Sequence, residues 1–214
     1  TEESHLSNAI TVEGTCEYVK IERNLFENYA IGVFASILQS PRYHNDIRVR
    51  YNLFKNIGYT NTYWSFFVNF SNTLAPPITN TCTNWYIDNN TMIGSGVYGG
   101  VMISANNVIS NVWIRNNIMT NVNGYGWLAF MNLEGTAQGE VENITATNNI
   151  VYNSTGNLTY TKEADVDVTN LTLANNLTSN PLFKSADNLR LQSTSPAINA
   201  GIDVGLTTDY DGRA

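Results

Sequence analysis

Glu22, Arg50, Asp88 and Arg115 alternate in sign, and two residues before each stands Lys20, Arg48, Tyr86 or Trp113. These eight residues carry most of the chemistry that the sequence offers. β-Elimination on a uronate needs its carboxylate neutralised and a base to take a proton. Lys20, Arg48, Arg50 and Arg115 are the candidate neutralisers, and Tyr86 or His44 the candidate base. Glu22 and Asp88 are candidate calcium ligands. Tyr86 and Trp113, with Arg50 and Arg115, are candidate glycan contacts, because an aromatic face suits the apolar side of a pyranose. Glycoside hydrolysis instead asks for two carboxylates roughly 5–10 Å apart. Glu22 and Asp88 meet that distance only with an arginine between them.

These residues fall into columns because the chain repeats. "VKIERNLFEN", "IRVRYNLFKN", "WYIDNNTMIG", "VWIRNNIMTN", "ITATNNIVYN" and "LTLANNLTSN" align on Asn24, Asn52, Asn90, Asn117, Asn149 and Asn176. The anchors recur after 28, 38, 27, 32 and 27 residues. A near-constant period with insertions is the mark of a solenoid. Before each anchor, apolar and polar residues alternate. The inward pairs are Val19/Ile21, Ile47/Val49, Trp85/Ile87, Val112/Ile114, Ile144/Ala146 and Leu171/Leu173. Period two predicts a strand. A second strand is predicted over "GVFAS", "FFVNF", "GVMIS", "WLAFM" and "LTYT".

The expected fold is therefore all-β: a right-handed parallel β-helix of about six to seven coils, spaced about 4.8 Å apart. Residues 1–180 form the β-helix and 181–214 a closing segment of the same domain. Asparagine explains itself here. At the turn after the strand it tolerates a left-handed backbone, and stacked amides form a ladder of hydrogen bonds. Counted as outward, the first column holds Lys20, Arg48, Tyr86, Trp113, Thr145 and Thr172. The second holds Glu22, Arg50, Asp88, Arg115, Thr147 and Ala174, and reads as an exposed ion-pair ladder in which each pair is worth about 0–1 kcal/mol. A third column, eight residues before the anchors, holds Cys16, His44 and Cys82. It suggests a soft-metal site, a disulfide or free thiols. A strict stack would hold the cysteines too far apart for a disulfide, whose Cα atoms lie within about 7 Å. "KEADVD" reads as a solvated loop, with calcium through Glu163, Asp165 and Asp167 as the alternative. The aromatic insertion at Tyr59, Tyr63, Trp64, Phe66, Phe67 and Phe70 reads mostly as core, and its outward remainder, with Tyr98, Tyr125 and Trp127 in the corresponding turns, as candidates for a glycan or partner surface.

The repeat pattern resembles the right-handed parallel β-helices of the pectate-lyase-like superfamily. The tail "NPLFKSADNLRLQSTSPAINAGIDVGLTTDYDG" resembles the C-terminal segment of many secreted bacterial β-helix proteins. The resemblance implies that a polysaccharide would lie along the first-strand face. "WYIDNN" is similar to a pectate-lyase stretch in which Asp88 matches the aspartate, but Asn89 stands where that family has histidine. The resemblance also implies an extracellular or cell-surface protein.

Bulk properties narrow the classes. Charged residues are only 14% of the chain, against about 25% in soluble domains, so the surface is polar without being ionic. A net charge of −7 argues against nucleic acid as partner. No apolar run is long enough to span a bilayer. The expected function is a structural or glycan-contacting module, non-catalytic and without a cofactor. Its partners would be a polysaccharide or copies of itself, because an uncovered terminal coil would dock head to tail into a filament. The alternative is a polysaccharide lyase.

Overall fold

The computed structural model of the chain describes residues 8–36, 43–58, 66–72, 81–94, 99–105, 108–122, 131–135, 140–154, 160–162 and 167–213. These residues form strands and turns without a helix. Numbered in chain order, the strands make three parallel sheets. One contains β1 (Asn8–Glu13), β5 (Ile31–Ser36), β8 (Phe66–Asn72), β11 (Gly99–Ala105), β14 (Met131–Gly135) and β17 (Tyr160–Lys162). The second contains β2 (Cys16–Glu17), β3 (Lys20–Glu22), β6 (Tyr43–Arg50), β9 (Thr81–Asp88), β12 (Val108–Arg115), β15 (Glu140–Thr147) and β18 (Asp167–Ala174). The third contains β4 (Leu25–Glu27), β7 (Leu53–Ile57), β10 (Thr91–Gly94), β13 (Ile118–Thr120) and β16 (Ile150–Tyr152). Each strand pairs with its counterpart in the next repeat, an order consistent with a β-helix-like solenoid.

The repeat thus holds three strands where alternation suggested two. The third is only three to five residues long, too short for period two to show. Among the described residues, the strand expected over "WLAFM" begins at Met131 and runs to Gly135. Tyr59, Tyr63, Trp64, Tyr98, Tyr125, Trp127, Glu163 and Asp165 lie outside the described residues. Of the insertion aromatics, Phe67 is in the core.

The inward pairs fill that core. Ile47, Val49, Trp85, Ile87, Val112, Ile114, Ile144 and Ala146 are fully buried, while Leu171 and Leu173 are partly buried at the last repeat. Phe54 packs between Phe26 and Phe67, with ring centroids 4.9 and 6.1 Å away. A Cβ at Gly32 would collide with the Phe54 ring and the Phe67 carbonyl, so only glycine lets the chain pass this close.

The two adjacent asparagines divide the work. The residue before each anchor takes the left-handed backbone: Arg23, Tyr51, Asn89, Asn116, Asn148 and Asn175 have φ between 53° and 60°. The anchors themselves turn inward and bond to one another. Asn24 donates to Asn52 Oδ1 at 3.0 Å, Asn52 to Asn90 at 3.1 Å, and Asn90 to Asn117 at 3.0 Å. Asn117 and Asn149 each donate 2.9 Å to the next anchor. Each Nδ2 from Asn52 to Asn176 also donates 2.7–2.9 Å to a backbone carbonyl of the preceding repeat. Each Oδ1 from Asn52 to Asn176 accepts a backbone N–H as well. The buried amides therefore lack no partner, as burial requires.

A further left-handed row escaped the pattern. Tyr18, Asp46, Asn84, Asn111, Asn143 and Asn170, six residues before the anchors, have φ between 53° and 57°. This single residue drops out of the strand pairing and reverses the inward phase. Positions five and eight before the anchor therefore both point inward, although strict alternation would oppose them.

Candidate functional site

The phase reversal decides the fate of the cysteine column. Cys16, His44, Cys82, Ile109, Val141 and Val168 are successive register partners. The register survives the insertion before Cys82, and the column is part of the interior. Both cysteines are free thiols, with His44 in register between them. The Cys82 sulfur lies 3.9 Å from His44 Nδ1. Burial pushes the Cys82 thiol up to about 12 and pushes His44 down to about 4, against the opposing pull of the Gly14 backbone. His44 is thus a neutral core residue and not a surface base. No group of three or more metal-ligating side chains gathers among the described residues.

This burial sets a pH dependence. Unfolded, His44 takes a proton near pH 6.5, and folded only near 4. The unfolded state then binds more protons between these values, so stability falls as pH drops through that window and is intact above it. The full loss is about 3 kcal/mol. His44→Leu, which suits a column continued by Ile109 and Val141, is expected to remove that slope. Urea midpoints across the window measure it, and an unchanged slope would exonerate His44.

The outward first column lies in register as Lys20, Arg48, Tyr86, Trp113, Thr145 and Thr172. Tyr86 and Trp113 stack with centroids 4.7 Å apart and planes 7° from parallel. The strand spacing dictates this, since side chains on neighbouring parallel strands stand directly beside each other. One face of each ring is therefore taken by the other ring. The Arg48 guanidinium lies 5.4 Å from the Tyr86 centroid and that of Arg50 5.2 Å. Arg115 sits 5.9 Å from Trp113. Arg48 donates to Asp46 through Nε at 2.6 Å and Nη2 at 2.9 Å. Asp46 occupies the left-handed row. Lys20 is exposed.

The second column corrects an expectation: its charges are not an exposed ladder. Asp88 has no solvent exposure, and the side chains of Arg50 and Arg115 keep only 9% and 17%. Arg115 donates to both Asp88 oxygens at 2.9 Å, and Arg50 Nη2 lies 3.2 Å from Oδ2. Two long guanidinium stems from the repeats on either side cover the carboxylate, which alternation alone does not foresee. Arg50 Nε is buried without a partner. Glu22 and Asp88 are not brought together, because Arg50 stands between them in register.

The residues that sequence reasoning missed are those beside the anchors. The tail runs back along them, against the repeat order. Asn148 Nδ2 donates 2.8 Å to the Ala200 carbonyl. Asn116 exchanges two hydrogen bonds with Ile202, at 2.8 and 2.9 Å. Arg23, in the first repeat, donates to the carbonyls of Asp209 and Tyr210 and to the Thr208 hydroxyl. A polar column of fixed left-handed backbone was the available signal. The chain matches no family model, no curated protein and no solved structure.

Proposed function

We propose that the chain is a right-handed parallel β-helix of six to seven coils. In this reading the anchor asparagines are its ladder, and the protein is a non-catalytic extracellular module whose first-strand face contacts a glycan. One observation carries the non-catalytic reading: apart from the exposed Lys20, the groups that elimination would need are already engaged. Arg50 and Arg115 share Asp88, Arg48 is held by Asp46, and Tyr86 is stacked on Trp113. His44 is neutral and enclosed. A pre-stacked Arg48–Tyr86–Trp113 ridge beside exposed Lys20 favours contact with a sugar chain, because it costs little ordering entropy on binding. The polar, weakly ionic surface supports an extracellular setting.

Affinity electrophoresis through gels containing uronate polysaccharides tests this. Retardation is expected, with its loss in Trp113→Ala and no ultraviolet-absorbing unsaturated product. A product that appears and vanishes in Arg115→Ala would establish the lyase instead. A second occupant, another copy of the chain, is favoured by Tyr18 and Leu25 in the first repeat, 70% and 55% exposed. Fibres in negative-stain images that disappear in Leu25→Lys would support it.

A further inference from the structure

The tail grips the column beside the anchors at Asn148, Asn116 and Arg23, but not at Asn89. Between Ile202 and Thr208 it crosses Asn89 through a turn in which Gly205 has φ +72°, no heavy atom lies within 4 Å of where its Cβ would be, and Asp203 accepts the Gly205 N–H at 2.8 Å. Three adjoining cavities open here, of about 470, 550 and 230 Å³. All three are lined by Asn89 and Leu191. The two larger ones each fall within the usual range of ligand pockets, about 300–1,000 Å³.

We propose that this channel between the tail and the turn column is a second binding site, for a neutral saccharide, separate from the first-strand face. The polar groups are pre-set for hydroxyls. Asn89 Oδ1 accepts from Asn116 at 3.2 Å, which orients the amide and leaves Nδ2 without a partner among the described residues. Asp187, on the opposite wall, supplies a carboxylate that also bonds to no described residue. A donor and an acceptor lining one cavity suit a sugar, whose adjacent hydroxyls serve as both. Leu53, Leu191 and the half-exposed Tyr210 ring offer apolar surface to its C–H face. The arginines around the channel are already engaged, so it offers no free cation to an anionic ligand. The lining Arg190 is paired to Asp211 at 2.5 Å, and Arg213 stands 3.4 Å from the same carboxylate. Arg23, 4.7 Å from the Tyr51 centroid, is engaged as well, by Thr208, Asp209 and Tyr210 of the tail, while Asp187 has no cation paired to it among the described residues.

Saturation-transfer NMR with a panel of gluco-, manno-, galacto- and xylo-oligosaccharides, against oligogalacturonate, tests the site. At least one neutral member is expected to bind and oligogalacturonate to give no signal that depends on Asn89. Asn89→Ala and Asp187→Ala are each expected to weaken the neutral ligand about tenfold, the loss of one or two hydrogen bonds, and Trp113→Ala to leave it unchanged. Asp187 is exposed and its carboxylate bonds to no described residue, so its variant decides the matter if Asn89→Ala is unstable. No neutral binding, or neutral binding indifferent to Asp187, overturns the proposal. Neutral binding lost only in Trp113→Ala overturns it too, and places the sugar on the strand face.

Discussion

Asn117→Ala is expected to lower the unfolding free energy by about 3–5 kcal/mol. The side chain sits at the middle of the anchor row, about 1% exposed. It donates to the Ile87 carbonyl and to Asn149, and accepts from the Asn90 backbone and side chain. Alanine leaves all four partners inside the fold with no water to replace what was lost. An unsatisfied buried group costs about 1–3 kcal/mol, and shared relaxation keeps the sum below four such penalties. Asn143→Ala is the control. Asn143 also bonds to its neighbours in a row, Asn111 and Asn170, but in solvent. Its loss is expected to cost about 1 kcal/mol, chiefly from a left-handed backbone that alanine resists. Urea unfolding of both variants measures the difference. Equal costs would mean that the anchor row is hydrated and does not hold the repeats.

How far such rows could be read from the sequence depended on whether one rule acted alone. Ile47, Val49 and the equivalent pairs were legible because they sit on an uninterrupted stretch of period two. The register was legible as well, since one-residue slips would have turned Trp85 or Ile114 outward. His44 and Cys82 were not, because a left-handed residue at Asp46 or Asn84 inverts the phase upstream. In the first two repeats that position is Tyr18 and Asp46, so no run of asparagine marks it. Tail placement was beyond local reasoning altogether. Arg23 reaches residues 185–187 positions away, and nothing near "TTDYDG" announces an arginine partner. The strand-face candidates were brought together as columns, but their burial and mutual pairing depend on side-chain length, which a pattern of inward and outward positions does not encode.

Asp88 is where that distinction has its largest measurable consequence. Asp88→Ala is expected to destabilise the protein by about 3–5 kcal/mol, the cost of stranding buried charge. Two guanidiniums would then face each other across the vacated site, and Arg50 Nε already lacks a partner. An exposed ladder, the simpler reading of alternating charge, would lose no more than about 1 kcal/mol. The same burial predicts the opposite result when all three charges go. Arg50→Met, Asp88→Leu and Arg115→Met together are expected to restore stability to within about 1 kcal/mol of the parent, because desolvation no longer has to be offset. The triple variant also separates structure from binding. It keeps Tyr86 and Trp113 but removes the cations at 5.2 and 5.9 Å from their centroids. A glycan held by the aromatic ridge survives this change, whereas one held by Arg50 and Arg115 is released. Stability that stays low in the triple variant would show that the arginine stems, and not their charges, cement the neighbouring repeats.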